Sequence, residues 1–493
     1  MVFNAVETDV VDLQKGNTQD RHDMTRMGKA QELKSWEAVL SVAVIGLTNG
    51  GTAGYIWMYF VCWIGFMFVN ASMAEMASMA PTTGGQYHWV SEFAPRKNQK
   101  FLSYIIGWMC VLAWQTMCAS TAYIAGIQIQ ALLVLNYENY VPQVWHGTML
   151  TIAVAAFSVF FNIFLARKLP LVEAGLLCIH ILGFFGIMVT LWVLAPRTPA
   201  AEVFTVFHDG GDWGSIGISA IVGITAGILP LLGADAAVHM SEELRDASRA
   251  LPHSMVATTL FNGAFGWVML ITFCSTLGNL SDALGSPTGV PFIAVFYNAT
   301  QTKSGATAMS VVVVVMTVAA NLTTGATAAR QLWAFARDKG MPFSNWFSYV
   351  HLGLNLPVNS IITTLVVTVL LSSIAIGSPV ALNSITSLGT NAILSSYICS
   401  ISCILWRRLA NQPLLPSKFA LGGWGLPINI ISVMFLVMAF IFTFFPPTPI
   451  PAPNLMNWNI LIYGVSVICS LLYYAIWARG QYVGPVEYVR RLD

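Results

Sequence analysis

Long runs of apolar residues alternate with short polar segments along most of this chain. Eleven such runs lie between Gly54 and Trp477, and a shortened one precedes them. A transmembrane helix needs about 20 mostly apolar residues, and the eleven runs meet that length without the two-residue alternation of a membrane barrel. The pattern predicts an all-α polytopic membrane protein with about 12 transmembrane helices, the first of them truncated. The predicted spans are residues 36–53, 54–79, 101–135, 147–166, 171–195, 214–240, 254–278, 306–336, 358–377, 380–407, 426–445 and 457–478.

The positive charges lie almost entirely on one side of these runs. When the gaps between runs are assigned alternately to two sides, 21 of the 23 Lys and Arg residues fall on the same side. Only Arg197 and Lys303 fall on the other. Lys and Arg in short loops stay in the cytosol. We therefore expect an even number of crossings, with both termini cytosolic.

The remaining composition fits a protein whose surroundings are the lipid bilayer. Charged residues make up 9% of the chain, whereas soluble domains have about 25%. The net charge of +1 gives no reason to expect a nucleic acid partner, and a monomer is expected. Residues 1–34 are predicted to be a disordered cytosolic tail, residues 35–478 the transmembrane domain and residues 479–493 a second cytosolic tail. The sequons at Asn279 and Asn298 fall on the outer side and are candidate glycosylation sites.

The sixth span holds the densest group of helix-breaking and polar residues. Its inner half carries Gly227, Pro230 and Gly233, followed by Asp235. An opened helix exposes carbonyls at the end of one half and amides at the start of the next, and these groups can bind the cationic and anionic ends of a substrate. We therefore predict two half-helices, broken near residues 230–234. The alternative is a simple proline kink that neighbouring helices satisfy.

Acidic residues and a histidine follow the predicted break. Asp235, His239 and Glu242 share one helical face, so a metal site is conceivable. The favoured interpretation is a polar cytosolic half-helix that pairs with Arg245 and Arg249, and no metal is expected.

Two ionisable residues in the fifth span are candidates for proton coupling. Glu173 lies at its cytosolic start, and His180 lies about two turns deeper. A histidine inside the bilayer can carry a proton during transport. The alternative is a neutral histidine that is bonded to a backbone carbonyl of another helix. Gln115 in the third span and Asn321 in the eighth are candidates for a polar substrate site, although such residues also bond helices together.

Three longer motifs resemble those of amino acid permeases. The segment EMASMAPTTGGQYHW, from Glu75 to Trp89, resembles the end of their second helix and their first inner loop. GADAAVHMSEE, from Gly233, resembles their sixth helix, and ARQLWAFARDKGMPF, from Ala329, resembles the end of their eighth. By these motifs the chain is identified as a member of the fungal amino acid/choline/GABA permease family, within the amino acid–polyamine–organocation (APC) superfamily.

The resemblance implies a fold of two inverted five-helix repeats plus two further helices. It implies a substrate site between the broken first and sixth helices, where Leu232, Gly233, Ala234 and Asp235 match the unwound segment of the family. It further implies import of an amino acid, GABA, choline or a polyamine across a fungal membrane, coupled to protons. The plasma membrane is the expected location, and the vacuolar membrane is the alternative. His180 falls where some superfamily members place a coupling lysine.

The first helix departs from the pattern of the family. Relatives have a half-helix between a tail like the one ending at Lys34 and a Trp-Glu pair like Trp36-Glu37, whereas here only Ser35 separates them. The first half-helix is therefore predicted to be missing. A transport-deficient sensor or binding protein is the alternative to a transporter, and an ion channel is a second rival. No nucleophile–base pair, phosphate-binding loop or metal set predicts an enzyme.

Overall fold

The protein is represented by a computed structural model that describes residues 36–165, 168–244, 246–377, 379–452 and 456–486. The predicted tail of residues 1–34 lies outside these ranges, as does the end of the chain from residue 487. Within the described residues, eleven helices are long and apolar enough to cross a membrane. These helices confirm the eleven long predicted spans, and most bounds agree to within a few residues.

The helices are numbered in chain order. The first eight are α1 (Trp36–Ser41), α2 (Ala43–Thr48), α3 (Gly51–Met79), α4 (Gln86–Phe93), α5 (Gln99–Asn136), α6 (Val144–Phe164), α7 (Leu169–Leu194) and α8 (Ala200–Thr205). The next seven are α9 (Ile216–Val222), α10 (Ile224–Ile228), α11 (Ala247–Ser275), α12 (Leu280–Leu284), α13 (Pro291–Thr300), α14 (Lys303–Arg337) and α15 (Ser344–Phe347). The last five are α16 (Val358–Gly377), α17 (Pro379–Leu409), α18 (Gly425–Phe442), α19 (Asn459–Tyr473) and α20 (Arg479–Gln481).

The first apolar stretch forms two helices of six residues each, α1 and α2, which meet at Val42. Together they extend about 20 Å, against a hydrocarbon core of about 30 Å. The indole ring of Trp36 packs on the imidazole of His180, with 5.7 Å between the ring centroids. Because His180 lies about three turns inside α7, the described part of this stretch begins near mid-depth of the bilayer.

The long helices pack in two groups. In the first group, α1, α10 and α11 pack with α3 or with one another. The crossing of α3 and α11 is close because Gly263 has no side chain: a Cβ there would lie 2.0 Å from Nε1 of Trp63. That Nε1 donates a hydrogen bond to the carbonyl of Thr259 (3.0 Å). In the second group, α5, α6, α14 and α16 pack together.

Polar contacts join the ends of these helices. Near the predicted outer side, strand β1 (Asn49–Gly50) pairs antiparallel with strand β2 (His208–Asp209). Near the predicted cytosolic side, Nη2 of Arg408 lies 2.6 and 2.8 Å from the two carboxylate oxygens of Glu75. The amide of Leu421 donates to the same carboxylate (3.0 Å). This buried ion pair ties the end of α3 to the end of α17, and it accounts for the acidic residue that opens the first motif.

Candidate functional site

The sixth span is broken in its middle, as predicted. Helix α10 ends at Ile228, a 3-10 turn covers Leu229–Leu231, and the second half, Ala236–Glu243, is a 3-10 helix. Between the halves, Leu232 is extended and Gly233 has a φ of 98°. Residues with a Cβ rarely adopt that φ, so the break requires glycine at position 233.

The break leaves backbone amides available. Among the residues that the structure describes, the amides of Gly233, Ala234 and Asp235 donate to no backbone carbonyl. The carbonyls of Pro230 and Leu231 therefore lack the bonds that a continuous helix would give them. A small cavity of about 20 Å³ lies beside this turn. It is lined by Pro230, Leu231, Leu232, Gly233, Ala234, Thr258, Thr259 and Asn262.

This cavity has the chemistry of a site for a small polar solute. Amides at the start of a half-helix attract anionic groups, and carbonyls at the end of the preceding half attract cationic groups. Thr258 and Thr259 add hydroxyl groups from α11. The structure thus brings together Leu232, Gly233 and Ala234 at one cavity, and their role in substrate binding stays a prediction.

Asp235 points away from this cavity into a buried network. Its carboxylate accepts hydrogen bonds from Nε2 of Gln86 (2.6 Å) and from the hydroxyl of Tyr397. Nε2 of His239 lies 3.8 Å from the carboxylate, and Nδ1 of His239 lies 2.9 Å from the carbonyl oxygen of Thr83. The network ties the second half of the sixth span to the first inner loop and to α17. A direct contact of Asp235 with substrate stays a prediction.

Glu242 has a partner that the sequence did not indicate. Its carboxylate lies 3.4 Å from Nη1 of Arg337, at the end of α14. Arg245, one of the two expected partners, lies outside the described residues. In the described part of the chain, no group of three His, Cys, Asp or Glu residues could hold a metal ion.

A second carboxylate, Asp338, joins the first inner loop to the end of α14. The hydroxyl of Tyr87, in α4, donates to Oδ2 of Asp338 (2.8 Å), and both residues are buried. Burial raises the pKa of Asp338 to about 6, and the nearby Glu242 also raises it, whereas the Tyr87 hydrogen bond and Arg337 lower it. The folded protein therefore keeps a proton on Asp338 at pH values where an unfolded chain has released it.

Replacement of Asp338 by asparagine is expected to reduce the pH dependence of stability. Because the folded pKa lies above the ordinary value of 3.8, the contribution of this carboxyl is full below pH 3.8 and is lost as the pH rises through about 6. Asparagine keeps an acceptor for Tyr87 and has no proton to lose. Melting temperatures of the purified protein between pH 4 and pH 7 test this. Asp212→Asn, at an exposed outer position, should keep the wild-type profile, and an equally steep profile for Asp338→Asn would contradict the argument.

Gln115 and Asn321 lie among the helices of the second group and do not line the sixth-span cavity. Nε2 of Gln115 donates to the carbonyl of Ala328 (3.3 Å) and to Oγ1 of Thr364 (3.0 Å). Nδ2 of Asn321 donates to the carbonyl of Cys118 (2.9 Å), and Asn321 lines a separate small cavity of about 10 Å³. These bonds fit the alternative interpretation of bonding between helices, and a substrate role for either residue stays a prediction.

His180 faces a carboxylate that sequence reasoning missed. Its Nδ1 lies 3.5 Å from Oε2 of Glu37 in α1, and both side chains are buried. Neither ring nitrogen of His180 forms a hydrogen bond within the described residues, so the expected carbonyl partner is not present there. Glu173 is half-buried and lies about two turns nearer the start of α7. Glu37 could have been recognised as a carboxylate inside an apolar stretch.

The sequence matches permeases over most of its length. The profile of the amino acid permease family matches residues 36–466. A Macrophomina phaseolina protein named for amino acid/polyamine transport is 33% identical over 436 residues, which cover 86% of this chain and 94% of that protein. The choline transporter of Saccharomyces cerevisiae is 26% identical, over 91% of this chain and 79% of that protein. Amino-acid permease 2 of Neurospora crassa is 23% identical, over 92% and 83% respectively.

The fold is also that of a known transporter. A crystal structure of a manganese transporter variant from Eremococcus coleocola superposes with a TM-score of 0.54 at 13% identity, over 94% of this chain and 93% of that one. This likeness confirms the predicted all-α transporter fold. The length of the family match and the 33% identity establish the relationship in sequence. The chain therefore belongs to the amino acid permease family, and it is a membrane transport protein rather than an enzyme.

Proposed function

We propose that this permease imports a small amine-bearing solute, such as an amino acid, GABA, choline or a polyamine, together with protons. The names of its relatives support the solute class, because amino acids, polyamines and choline all carry a cationic nitrogen. The protein acts in the plasma membrane of a fungus, with the vacuolar membrane as the alternative, and functions as a monomer.

The observation that carries the proposal is the cavity beside the broken sixth span. The amides of Gly233, Ala234 and Asp235 donate to no backbone carbonyl among the described residues. Such amides at the start of a half-helix suit the binding of a carboxylate. The preceding carbonyls and the threonine hydroxyls of α11 suit an ammonium group or a hydroxyl.

An uptake panel in a permease-deficient yeast strain tests this function. Cells that express the chain are given radiolabelled choline, GABA, arginine, leucine or spermidine, and accumulation is compared with that of cells carrying an empty vector. We expect accumulation of at least one amine, with competition by unlabelled solutes of the same kind. Accumulation of an uncharged sugar but of no amine would contradict the solute class.

The second candidate is a sensor or binding protein that does not transport. The feature in its favour lies in the sequence, where only Ser35 separates Lys34 from the Trp36-Glu37 pair, so the first half-helix of relatives is predicted to be missing. Such a protein would be stabilised against heat by one of the five solutes and would accumulate none of them. A transporter would show both effects.

The predicted topology places Asn279 and Asn298 outside the cell. Both side chains are exposed. Asn279 caps the start of α12, where its side chain accepts a hydrogen bond from the amide of Ser281 (3.0 Å). We expect an endoglycosidase to increase the gel mobility of the protein, and the double substitution Asn279→Gln/Asn298→Gln to remove that shift.

Tags at either terminus of the chain should resist protease that is added to intact cells. Cleavage of a terminal tag from outside would contradict the assignment of the termini to the cytosol.

A further inference from the structure

The second group of helices encloses a small polar cavity in the membrane-embedded region. This scaffold cavity has a volume of about 10 Å³, and its lining comes from all four helices of the group, α5, α6, α14 and α16. Asn321 contributes from α14, where it lies midway between Lys303 and Arg337. Because α14 is long enough to cross the bilayer, its middle lies near mid-depth. The scaffold cavity and the cavity beside the sixth-span break share no lining residue.

One buried oxygen at the scaffold cavity requires a hydrogen-bond donor. Asn321 is fully buried, and its Oδ1 accepts no hydrogen bond from the described residues. Its Nδ2 donates to the carbonyl of Cys118 (2.9 Å) and to Oγ1 of Thr121 (3.0 Å). Because a carbonyl can only accept, these bonds fix which end of the amide faces α5. Oδ1 is therefore the polar atom that Asn321 has left for the cavity, and an unpaired buried acceptor is costly.

The hydroxyl groups at the scaffold cavity offer acceptors rather than donors. The hydroxyl of Ser158, in α6, donates to the backbone carbonyl of Asn321 (3.2 Å). The hydroxyl of Thr364, in α16, donates to the carbonyl of Ser360 (3.0 Å) and accepts a bond from Gln115 (3.0 Å). Each hydroxyl has one hydrogen and two lone pairs, so both oxygens can still accept. The lining therefore suits an occupant that donates two hydrogen bonds.

The size of the scaffold cavity fits a single water molecule. A buried water needs about 10–15 Å³ of free space and two to four polar partners. Gly325 keeps this space open, because a Cβ there would lie 3.1 Å from Oγ of Ser158 and 3.7 Å from Nδ2 of Asn162. An amino acid, choline or a polyamine is far too large for a space of about 10 Å³.

A neighbouring cavity gives water a short route from the predicted cytosolic side. It has a volume of about 20 Å³ and shares Asn162 and Ile361 with the scaffold cavity. It is also lined by Arg330, which the charge pattern assigns to the cytosolic side, and by Pro357, which directly precedes α16. The shared residues make the two cavities neighbours, so water that enters beside Pro357 lies next to the scaffold cavity.

We propose that the scaffold cavity is a binding site for one water molecule, which donates one hydrogen bond to Oδ1 of Asn321 and a second to a hydroxyl oxygen on α6 or α16. This water joins α14 to a neighbouring helix near mid-depth, where no other solvent competes for the bonds. The inference goes beyond the proposed function, because the site lies away from the solute cavity and does not depend on which solute the permease carries. It gives Asn321 a role in holding the second group together.

A cryo-EM map of the full chain in lipid nanodiscs, at a resolution that shows ordered water, tests the site directly. In the wild type we expect a density peak about 2.8 Å from Oδ1 of Asn321. The peak should be absent in Gly325→Ala, whose Cβ takes the space. A wild-type map without the peak would overturn the proposal. Melting temperatures should be equal in sodium, potassium and caesium chloride, and stabilisation by one of these salts would overturn it in favour of a cation site.

Heat denaturation measures what the water contributes. Gly325→Ala should lower the melting temperature by about 2–4 °C, because it leaves Oδ1 of Asn321 without a donor. Gly186→Ala is the matched control, since it is the same change in the membrane helix α7 and its Cβ meets no atom within 4 Å. The control should melt at the wild-type temperature or slightly above it.

A double-substitution cycle separates loss of the water from crowding at Ser158. Asn321→Leu removes the oxygen that needs the water, so adding Gly325→Ala to it should cost about half as much as in the wild type, or less. An equal loss in both backgrounds would show that contact with Ser158 causes the destabilisation, and it would overturn the proposal. The wild-type map decides the site even if Asn321→Leu is too unstable to purify.

Discussion

Replacement of Gly233 by leucine will abolish solute binding while the protein still inserts into the membrane. The residue has a φ of 98°, and a residue with a Cβ in such a conformation is strained by about 1–3 kcal/mol. The leucine side chain would also fill the small cavity of about 20 Å³ next to the amides proposed to hold the solute. The lipid-facing surfaces of the long helices do not change, so insertion is expected to be unaffected.

Stabilisation of the purified protein by choline, GABA, arginine or spermidine measures this binding. Gly464→Leu is the matched control, because a Cβ at Gly464 meets no atom within 4 Å and leucine can extend there without a clash. The control should keep the heat stabilisation of the wild type, and both variants should reach the membrane fraction in equal amounts. Retained stabilisation of Gly233→Leu would show that the solute binds elsewhere.

Insertion of a relative's first half-helix after Lys34 is expected to convert poor uptake into robust uptake. The helices α1 and α2 extend about 20 Å together, so the described first stretch covers only part of a core of about 30 Å. The half-helix that the sequence predicts to be missing would supply the inner wall that faces the second half of the sixth span. Its predicted absence implies an incomplete cytosolic seal, and alternating access requires that seal.

Uptake of the panel solutes by the two versions of the chain, normalised to the amount of protein in the membrane, measures this effect. An insertion of equal length with a scrambled polar sequence is the control, because it adds chain without adding a helix. Uptake by the unmodified chain that equals uptake by the lengthened chain would show that the first half-helix is dispensable.

The span pattern and the break could be read from the sequence because both depend on local composition. A run of about 20 apolar residues crosses a bilayer whatever it packs against. Gly227, Pro230 and Gly233 weaken the helix in any environment, since glycine and proline act through their own backbone. The prediction of a truncated first helix rests on the sequence in the same way, because the apolar run from Ala38 to Leu47 is too short to cross a bilayer.

The partners of the site residues could not be read from the sequence, because they come from distant parts of the chain. Gln86 and Tyr397, which bind the Asp235 carboxylate, are 149 and 162 residues away from it. Glu37 stands in a stretch too short to define a helix face, so nothing local indicated that it would meet His180. Short helices such as α4, α8, α12 and α13 were missed because so few residues give no clear periodicity.

The short strand pair fixes the first stretch at its outer end, so a small tilt of the stretch moves its inner end the most. Its outer end is fixed by backbone pairing of Asn49 and Gly50 with β2, whereas its inner end, at Trp36, is held by side-chain contacts. About 20 Å separates the paired outer end from Trp36, so a tilt of about 3° displaces Glu37 by about 1 Å. A displacement of that size is enough to turn the 3.5 Å contact with His180 into a hydrogen bond, or to break it.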